Sequence, residues 1–239
     1  MNDFSEKTID YKQYVVDSKL RYFKPHATKI EKSFAEEISY SLNQNSKFIN
    51  PKFFYDRKGS DLFESITSLP EYYPTRTEIS ILKKLKQDLP SYLDENMNLV
   101  ELGSGASVKT RLILDIFTKL QVKTEYFPID ISEILTESSE QLLNDYDTLH
   151  ITGIIDTYEG GLEFLKTYDN KKNLILFLGS SFGNFTPDDG KLFLEKIFST
   201  MNSDDLFLIG LDLVKDKNIL ESAYDDSQGV TAKFNLNVL

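Results

Sequence analysis

Apolar positions along this 239-residue chain fall into two regimes. Beyond residue 98, short apolar runs alternate with stretches of helical period; before it, apolar residues recur mainly at helical spacing. The runs at 99–102, 126–129, 151–155, 174–178 and 206–213 predict strands, and the segments at 109–120, 132–146, 162–167 and 187–201 predict helices. Strands that alternate with helices argue for parallel pairing through helical crossovers, hence an α/β fold. The last of these helices carries its own start signal, with Thr186 as N-cap, Pro187 at the first helical position, and Asp188 and Asp189 in the first turn. Pro128 is awkward inside a strand because it lacks an N–H, unless it stands at the strand's end.

The first part of the chain is less regular. Residues 1–25 show no period to which an element can be assigned. Thr28 and Glu31 have capping-box spacing ahead of Ile30, Phe34, Ile38 and Leu42, which share one helix face. Asp61 with Glu64 predicts the start of a helix anchored by Leu62, Phe63, Ile66 and Leu69 and stopped by Pro70. Thr75 with Glu78 predicts another, turning Ile79, Leu82 and Leu85 inward. The paired tyrosines of PEYYPT between these helices suit either packing or contact with a ligand, having an apolar body and a polar tip.

Composition narrows the functions open to such a fold. With 27 Lys and Arg against 38 Asp and Glu, the net charge of −11 and the lack of a basic tract disfavour nucleic acid as a partner. There are no cysteines, which excludes disulfides and thiolate metal sites, and the two histidines, His26 and His150, lack ligand spacing. No metal site is expected. Residues 1–13 hold no apolar run of signal-peptide length and no run reaches a membrane span, so the expected compartment is the cytoplasm, without a membrane partner.

The chemistry concentrates where the strand 99–102 meets its helix, in LVELGSGASVKT. Gly103 and Gly105 allow a sharp turn and a close approach of backbone to ligand. Val108 stands where a dinucleotide fingerprint has its third glycine, which weakens a pyrophosphate reading and disfavours a nicotinamide-dependent oxidoreductase; a plain tight turn stays open. In an open α/β sheet ligands bind beyond the carboxyl ends of the strands. Glu101 to Gly105, Asp130, Asp156, Gly179 to Asn184, and Asp212 fall there. Asp130 follows the next strand, where a carboxylate either accepts from the two hydroxyls of a ribose or caps the following helix.

The stretches FFYDRKGSDLFESITSLPEYYPTRTE, LVELGSGASVKTRLILD, FPIDIS, LFLGSSFGNFTPDD and LIGLDLVKDKNILESAYDDSQGVTAKFNLNVL, in this order, resemble the histidine-specific S-adenosylmethionine-dependent methyltransferase family. That family includes the ergothioneine-pathway enzymes that methylate the α-amine of histidine, and relatives acting on tryptophan-derived amines. The likeness covers about 51–239. It implies a class I, Rossmann-like methyltransferase sheet with helices on both faces over 91–239, and an N-terminal helical substrate lobe over 1–90. Family members continue past the end of this sequence, so the resemblance also implies a sheet without its last strands. The strand 206–213 would then be an apolar edge open to self-association or a partner chain.

Carried over by position, the resemblance implies a cofactor site for S-adenosylmethionine made of Tyr55, Gly103, Lys109, Asp130, Asp156 and Thr157. Lys109 would pair with the methionine carboxylate, Asp130 would hold the ribose, and Asp156 would accept from the adenine amino group. Thr157 stands where an aromatic residue is expected. Phe63, Tyr72, Gly179, Asn184 and Tyr224 would bind a small amino-acid or amine substrate; Tyr224 is equally open to a packing role at its helix end. The implied activity is N-methylation of the α-amine of histidine or a related amine; the alternative is a non-catalytic cofactor-binding or interaction module. The amine would attack the sulfonium methyl, and an α-amine with a pKa of about 7.7–8.0 needs no strong base to lose its proton. No catalytic acid or base is therefore assigned.

Overall fold

Strands form where the apolar runs predict them, and two more form where no period is visible. The computed structural model describes residues 10–26, 33–105, 107–132 and 134–238. In chain order β1 (Tyr11–Val15) and β2 (Leu20–Pro25) precede the helices α1 (Phe34–Leu42), α2 (Arg57–Thr67) and α3 (Tyr73–Leu85). Then come β3 (Asn98–Leu102), α4 (Val108–Leu120), β4 (Thr124–Asp130), α5 (Ile134–Asp145), β5 (Leu149–Ile155), α6 (Tyr158–Tyr168), β6 (Asn173–Phe177), α7 (Pro187–Thr200) and β7 (Leu206–Ile209). Two helices, α8 (Lys217–Tyr224) and α9 (Val230–Leu236), complete the described part.

The strands make one sheet in the order β1-β2-β5-β4-β3-β6-β7, parallel except for the β1–β2 hairpin. β3 and β6 lie inside it and are buried at every position, which is why their sequences read as continuous apolar runs. Their side chains alternate between two cores. Leu99, Leu174 and Leu176 join Ile113, Phe117, Leu135 and Leu142 on one face. Val100, Leu102, Ile175 and Phe177 join Leu162, Leu165, Phe193 and Ile197 on the other. The helices thus cover both faces.

Several sequence expectations are corrected. Residues 1–25, to which the sequence assigns no element and which the resemblance includes in a helical lobe, hold the strands β1 and β2, because β2 pairs with β5 from Leu20 opposite Ile151 onward. That pairing is non-local and leaves only a short Leu20, Tyr22, Phe23 signature in the sequence. α2 starts at Arg57, before Asp61, because the Asp56 carboxylate accepts from Gly59 N at 2.6 Å. The Thr28–Glu31 capping box lies outside the described residues, and α1 is capped by Ser33 and Glu36 instead. The strand expected to run to 213 stops at Ile209; Gly210 N still donates to Phe177 O at 2.8 Å, after which Leu211, Leu213 and Val214 are exposed. Pro128 is well inside β4, and the β4–β5 register passes over residues 127 and 128, which accommodates the missing N–H.

The chain beyond β7 folds back onto the N-terminal helices. Ala223 and Phe234 bury with Ile66, Leu69 and Tyr72 in a third core that also holds Phe54, Leu62 and Phe63. Asp226 fastens this return. Its carboxylate accepts from the backbone N–H of Gln228, Val230 and Thr231 at 3.1, 2.9 and 2.7 Å. Burial works against its ionised form, but these donors win and push its pKa down to about 2. The stability it contributes is present above the ordinary carboxylate value and is lost as pH falls toward 2. Asp226→Ala is expected to lower unfolding free energy by about 2 kcal/mol at pH 7, measured by urea denaturation, with the deficit shrinking in acid. A constant deficit from pH 7 to pH 3 would contradict that account.

Candidate functional site

At the carboxyl end of β3 the backbone enters left-handed geometry three times, at Gly103 (φ 76°), Gly105 (φ 48°) and Ser107 (φ 55°), before α4 begins. A Cβ at Gly103 would stand 2.8 Å from the Tyr158 hydroxyl, and at Gly105 it would meet nothing within 4 Å, so the turn is open on one side. No side chain caps α4, and Ser107 Oγ is buried without a hydrogen-bond partner among the described residues. The turn is therefore able to take a polar ligand on its free groups.

Asp130 ends β4 beside this turn. Its Oδ1 accepts from Ser132 N at 2.9 Å, a bond in the turn before α5 that leaves the helix's first N–H, Ile134 N, to Ser132 Oγ, and the carboxyl pKa is raised. Burial is the main cause, and the N–H groups of Ser132, Gly105 and Ile131 only partly offset it. A capping carboxylate in solvent has its pKa lowered; this one is held in a low-dielectric place. Tyr158 and Tyr55 lie close enough for Asp130 to add to the burial that raises their hydroxyl pKa values.

Beneath the turn Glu101 is 3% exposed and accepts from Thr110 Oγ1 at 2.7 Å and Tyr126 OH at 2.5 Å. Burial pushes its pKa up to about 7 against those two bonds and the nearby Lys109. It braces β3, β4 and α4 together from within.

On the other side of the turn Lys109 Nζ pairs with Glu78 at 2.8 Å. Glu78 comes from α3 and also accepts from Gly179 N at 2.9 and 3.0 Å through its two oxygens. Gly179 has φ 83°, and a Cβ there would stand 3.0 Å from Lys109 Nζ. Lys109 and Gly179, expected on different ligands, thus adjoin. The Thr75–Glu78 capping box expected from sequence does not form, because Glu78 turns inward to these partners.

Asp156 is more constrained than the sequence implied. Its Oδ2 accepts from Tyr11 OH at 2.5 Å and its Oδ1 from Thr157 N at 2.7 Å. Thr157 itself caps α6, accepting from Gly160 N at 3.2 Å. The neighbouring Tyr158 is the aromatic residue that reaches toward Gly103.

Tyr55, Phe63, Tyr72 and Tyr224 come together as a chain of edge-on rings, with centroids 5.4 Å apart for Tyr55–Phe63, 6.2 Å for Phe63–Tyr72 and 5.8 Å for Tyr72–Tyr224. Phe234 of α9 packs on Tyr55 and Phe63 at 5.6 and 5.9 Å. Tyr72 is buried and directs its hydroxyl at Tyr224, whereas Tyr224 is half exposed. Tyr73 instead donates to Asp212 and lies under Lys215 Nζ at 4.5 Å. Asn184 ends the 3-10 turn Ser181–Asn184 after β6 and is exposed. No group of three or more His, Asp or Glu among the described residues is placed to hold a metal.

The sequence profile of the histidine-specific, SAM-dependent methyltransferases matches residues 34–239. The chain belongs to this family. It is 40% identical over 204 residues to the histidine N-alpha-methyltransferase of Mycolicibacterium smegmatis, covering 85% of this chain and 63% of that protein. It is 35% identical over 187 residues to ergothioneine biosynthesis protein 1 of Neurospora crassa, covering 77% of this chain and 21% of the other. The chain therefore spans less than two thirds of the length of these relatives. Among solved structures, a DUF574 family protein from Streptomyces avermitilis superposes with a TM-score of 0.53 at 10% identity, over 84% of this chain and 75% of that one, a likeness of fold.

In this member of the methyltransferase family, the described residues fit an S-adenosyl cofactor. The left-handed turn is open beside Gly105, Ser107 Oγ is buried without a partner among the described residues, and the N–H groups around the desolvated Asp130 only partly offset its burial, so the cofactor's hydroxyls would add partners there. Sequence reasoning missed Glu78, Tyr158, Tyr11 and Phe234. Glu78 had a visible signal, since it stands four residues before the buried Leu82 and so shares its helix face. Tyr11 and Phe234 had none, because their partners are distant in the chain.

Proposed function

We propose that this chain is an S-adenosylmethionine-dependent N-methyltransferase acting on the α-amine of an amino acid, with histidine as the leading candidate. The observation that carries the reading is the continuity between the glycine turn with Asp130 and the ring cluster of Tyr55, Phe63, Tyr72 and Tyr224, joined through Tyr55. The substrate rests on the names of the relatives.

When bound, S-adenosylmethionine supplies an electrophilic methyl on a sulfonium. Asp130 accepts the ribose hydroxyls, the turn at Gly103 lets the backbone approach, and Lys109 meets the methionine carboxylate as a point charge. Asp156, held by Tyr11, and Thr157 N border the adenine. The faces of Tyr55 and Tyr72 stabilise positive charge on the sulfonium and on the methylated amine, at about 0.5–2 kcal/mol each. Asn184 and Tyr224 orient the amino acid by its carboxylate and amine, with Phe63 and Gly179 as walls. The work of the chain is alignment and exclusion of water.

A second reading, a cofactor-binding module that works with a partner chain or with a second copy, is favoured by one observation. The outer edge of β7 has no strand partner among the described residues, and Leu211, Leu213 and Val214 beyond it are exposed. Mass spectrometry of a methylation assay over histidine and other amino acids and amines separates the two. Products heavier by steps of one methyl are expected. Binding of S-adenosylhomocysteine without any methyl transfer, together with dimers in sedimentation, would move the conclusion to the module.

A further inference from the structure

Glu78 touches both halves of the site while belonging to neither. It projects from α3 to meet Lys109 of α4, and the same carboxylate accepts from the N–H of Gly179 in the turn after β6. The Glu78 side chain is 13% exposed and that of Lys109 is 24% exposed, so this ion pair is shielded from water on most sides. A fourth segment makes room for it: a Cβ on Gly210, just after β7, would lie 1.9 Å from Glu78 Oε1. Four separate parts of the chain are thus shaped around one carboxylate.

We propose that Glu78 is a positioning residue that holds the Lys109 ammonium where the cofactor's amino-acid carboxylate meets it, and ties that lysine to the Gly179 turn at the substrate side. A lysine has a flexible four-carbon stem, and leaving it unrestrained would cost rotamer entropy each time a ligand bound. Glu78 meets that cost during folding, so the ammonium is already oriented when a ligand arrives. The pair is neutral overall, but an ammonium has three donors and this carboxylate takes one of them, which leaves N–H groups for a ligand's oxygens. The inference rests on the proposed function, in which Lys109 faces the methionine moiety.

The test compares two ligands that differ at the relevant atoms. S-adenosylhomocysteine carries the amino-acid carboxylate; 5′-methylthioadenosine keeps the nucleoside and sulfur but lacks it. Titration calorimetry on Glu78→Gln, which keeps an acceptor for Gly179 but removes the charge facing Lys109, is expected to show about tenfold weaker S-adenosylhomocysteine binding, the size of one charge-assisted contact. Binding of 5′-methylthioadenosine is expected to stay within about twofold, since its contacts do not involve Lys109. Gly210→Ala, which leaves Glu78 chemically intact and displaces its head, is expected to reproduce the same selective loss. In a Lys109→Met background the Glu78→Gln effect is expected to vanish, because it acts through the lysine. Equal losses for both ligands, a loss that persists without Lys109, or unchanged or tighter binding of S-adenosylhomocysteine would overturn the inference. Wild-type protein that binds neither ligand would overturn the proposed function along with it; binding by the wild type with indifferent Glu78 variants would overturn this inference alone.

Discussion

Asp130→Ala is expected to weaken S-adenosylhomocysteine binding by at least about 100-fold in titration calorimetry, with no comparable loss of stability in the free protein. Two ribose hydroxyls donating to an ionised acceptor contribute about 1.5–3 kcal/mol each, and about 2.7 kcal/mol already amounts to 100-fold. Stability responds differently, since burial raises the carboxyl pKa and the fold is working against its charge. The sign follows from linkage. That cost is absent where the carboxyl is protonated in both states, below its ordinary value, and is present in full once pH exceeds the raised value. At neutral pH the substitution removes this cost while losing the bond from Ser132 N, about 1 kcal/mol. Urea unfolding of the variant is expected within about 1 kcal/mol of wild type. A variant that binds normally would remove Asp130 from the site, and one that unfolds much more readily would make it first a brace of the turn before α5.

Glu101→Gln is expected to change the pH dependence of stability more than stability itself. The buried carboxyl has its pKa pushed from 4.5 up to about 7, a rise worth about 3 kcal/mol. Because the folded state binds the proton more tightly than the unfolded chain, stability from this residue is undiminished below about pH 4.5, declines as pH rises toward 7, and is fully lost above it. Glutamine keeps an oxygen for Thr110 and Tyr126 and has no charge to desolvate. The difference in unfolding free energy, wild type minus variant, should fall by about 3 kcal/mol between pH 4.5 and 8. Parallel curves for the two proteins would show that Glu101 does not titrate as its burial requires.

These two acids illustrate what could be read from residues in order. Asp130 was legible because its role follows from position alone: in a parallel sheet the end of a strand next to the glycine turn is at the ligand's side whatever the details of packing. Glu101 was legible as a member of that strand end, but not as a proton-binding group. Its raised pKa comes from burial by the folded chain, which outweighs the bonds from Thr110, nine residues on, and Tyr126, in the next strand. Glu78 was misread outright, because capping-box spacing describes a local option and the pull of Lys109 and Gly179 is tertiary. The ring cluster was half legible. Tyr72 and Tyr224 were expected as substrate contacts, but their meeting with Tyr55, Phe63 and Phe234 depends on the return of α9 to α2, which Asp226 holds.

By itself the sequence determined the alternation of strands and helices, the buried centre of the sheet, the glycine turn and the family motifs. Each of these is set by neighbours within a few residues, through side-chain period, caps and the freedom of glycine at positive φ. Only the tertiary structure decided that residues 11–25 extend the sheet, where Tyr11 came to restrain Asp156. It alone drew Glu78 across to Lys109 and Gly179, and opened the left-handed turn beside a desolvated Asp130. Those outcomes depend on hydrogen bonds and burial between segments up to 145 residues apart, whose strength comes from water excluded by the whole fold.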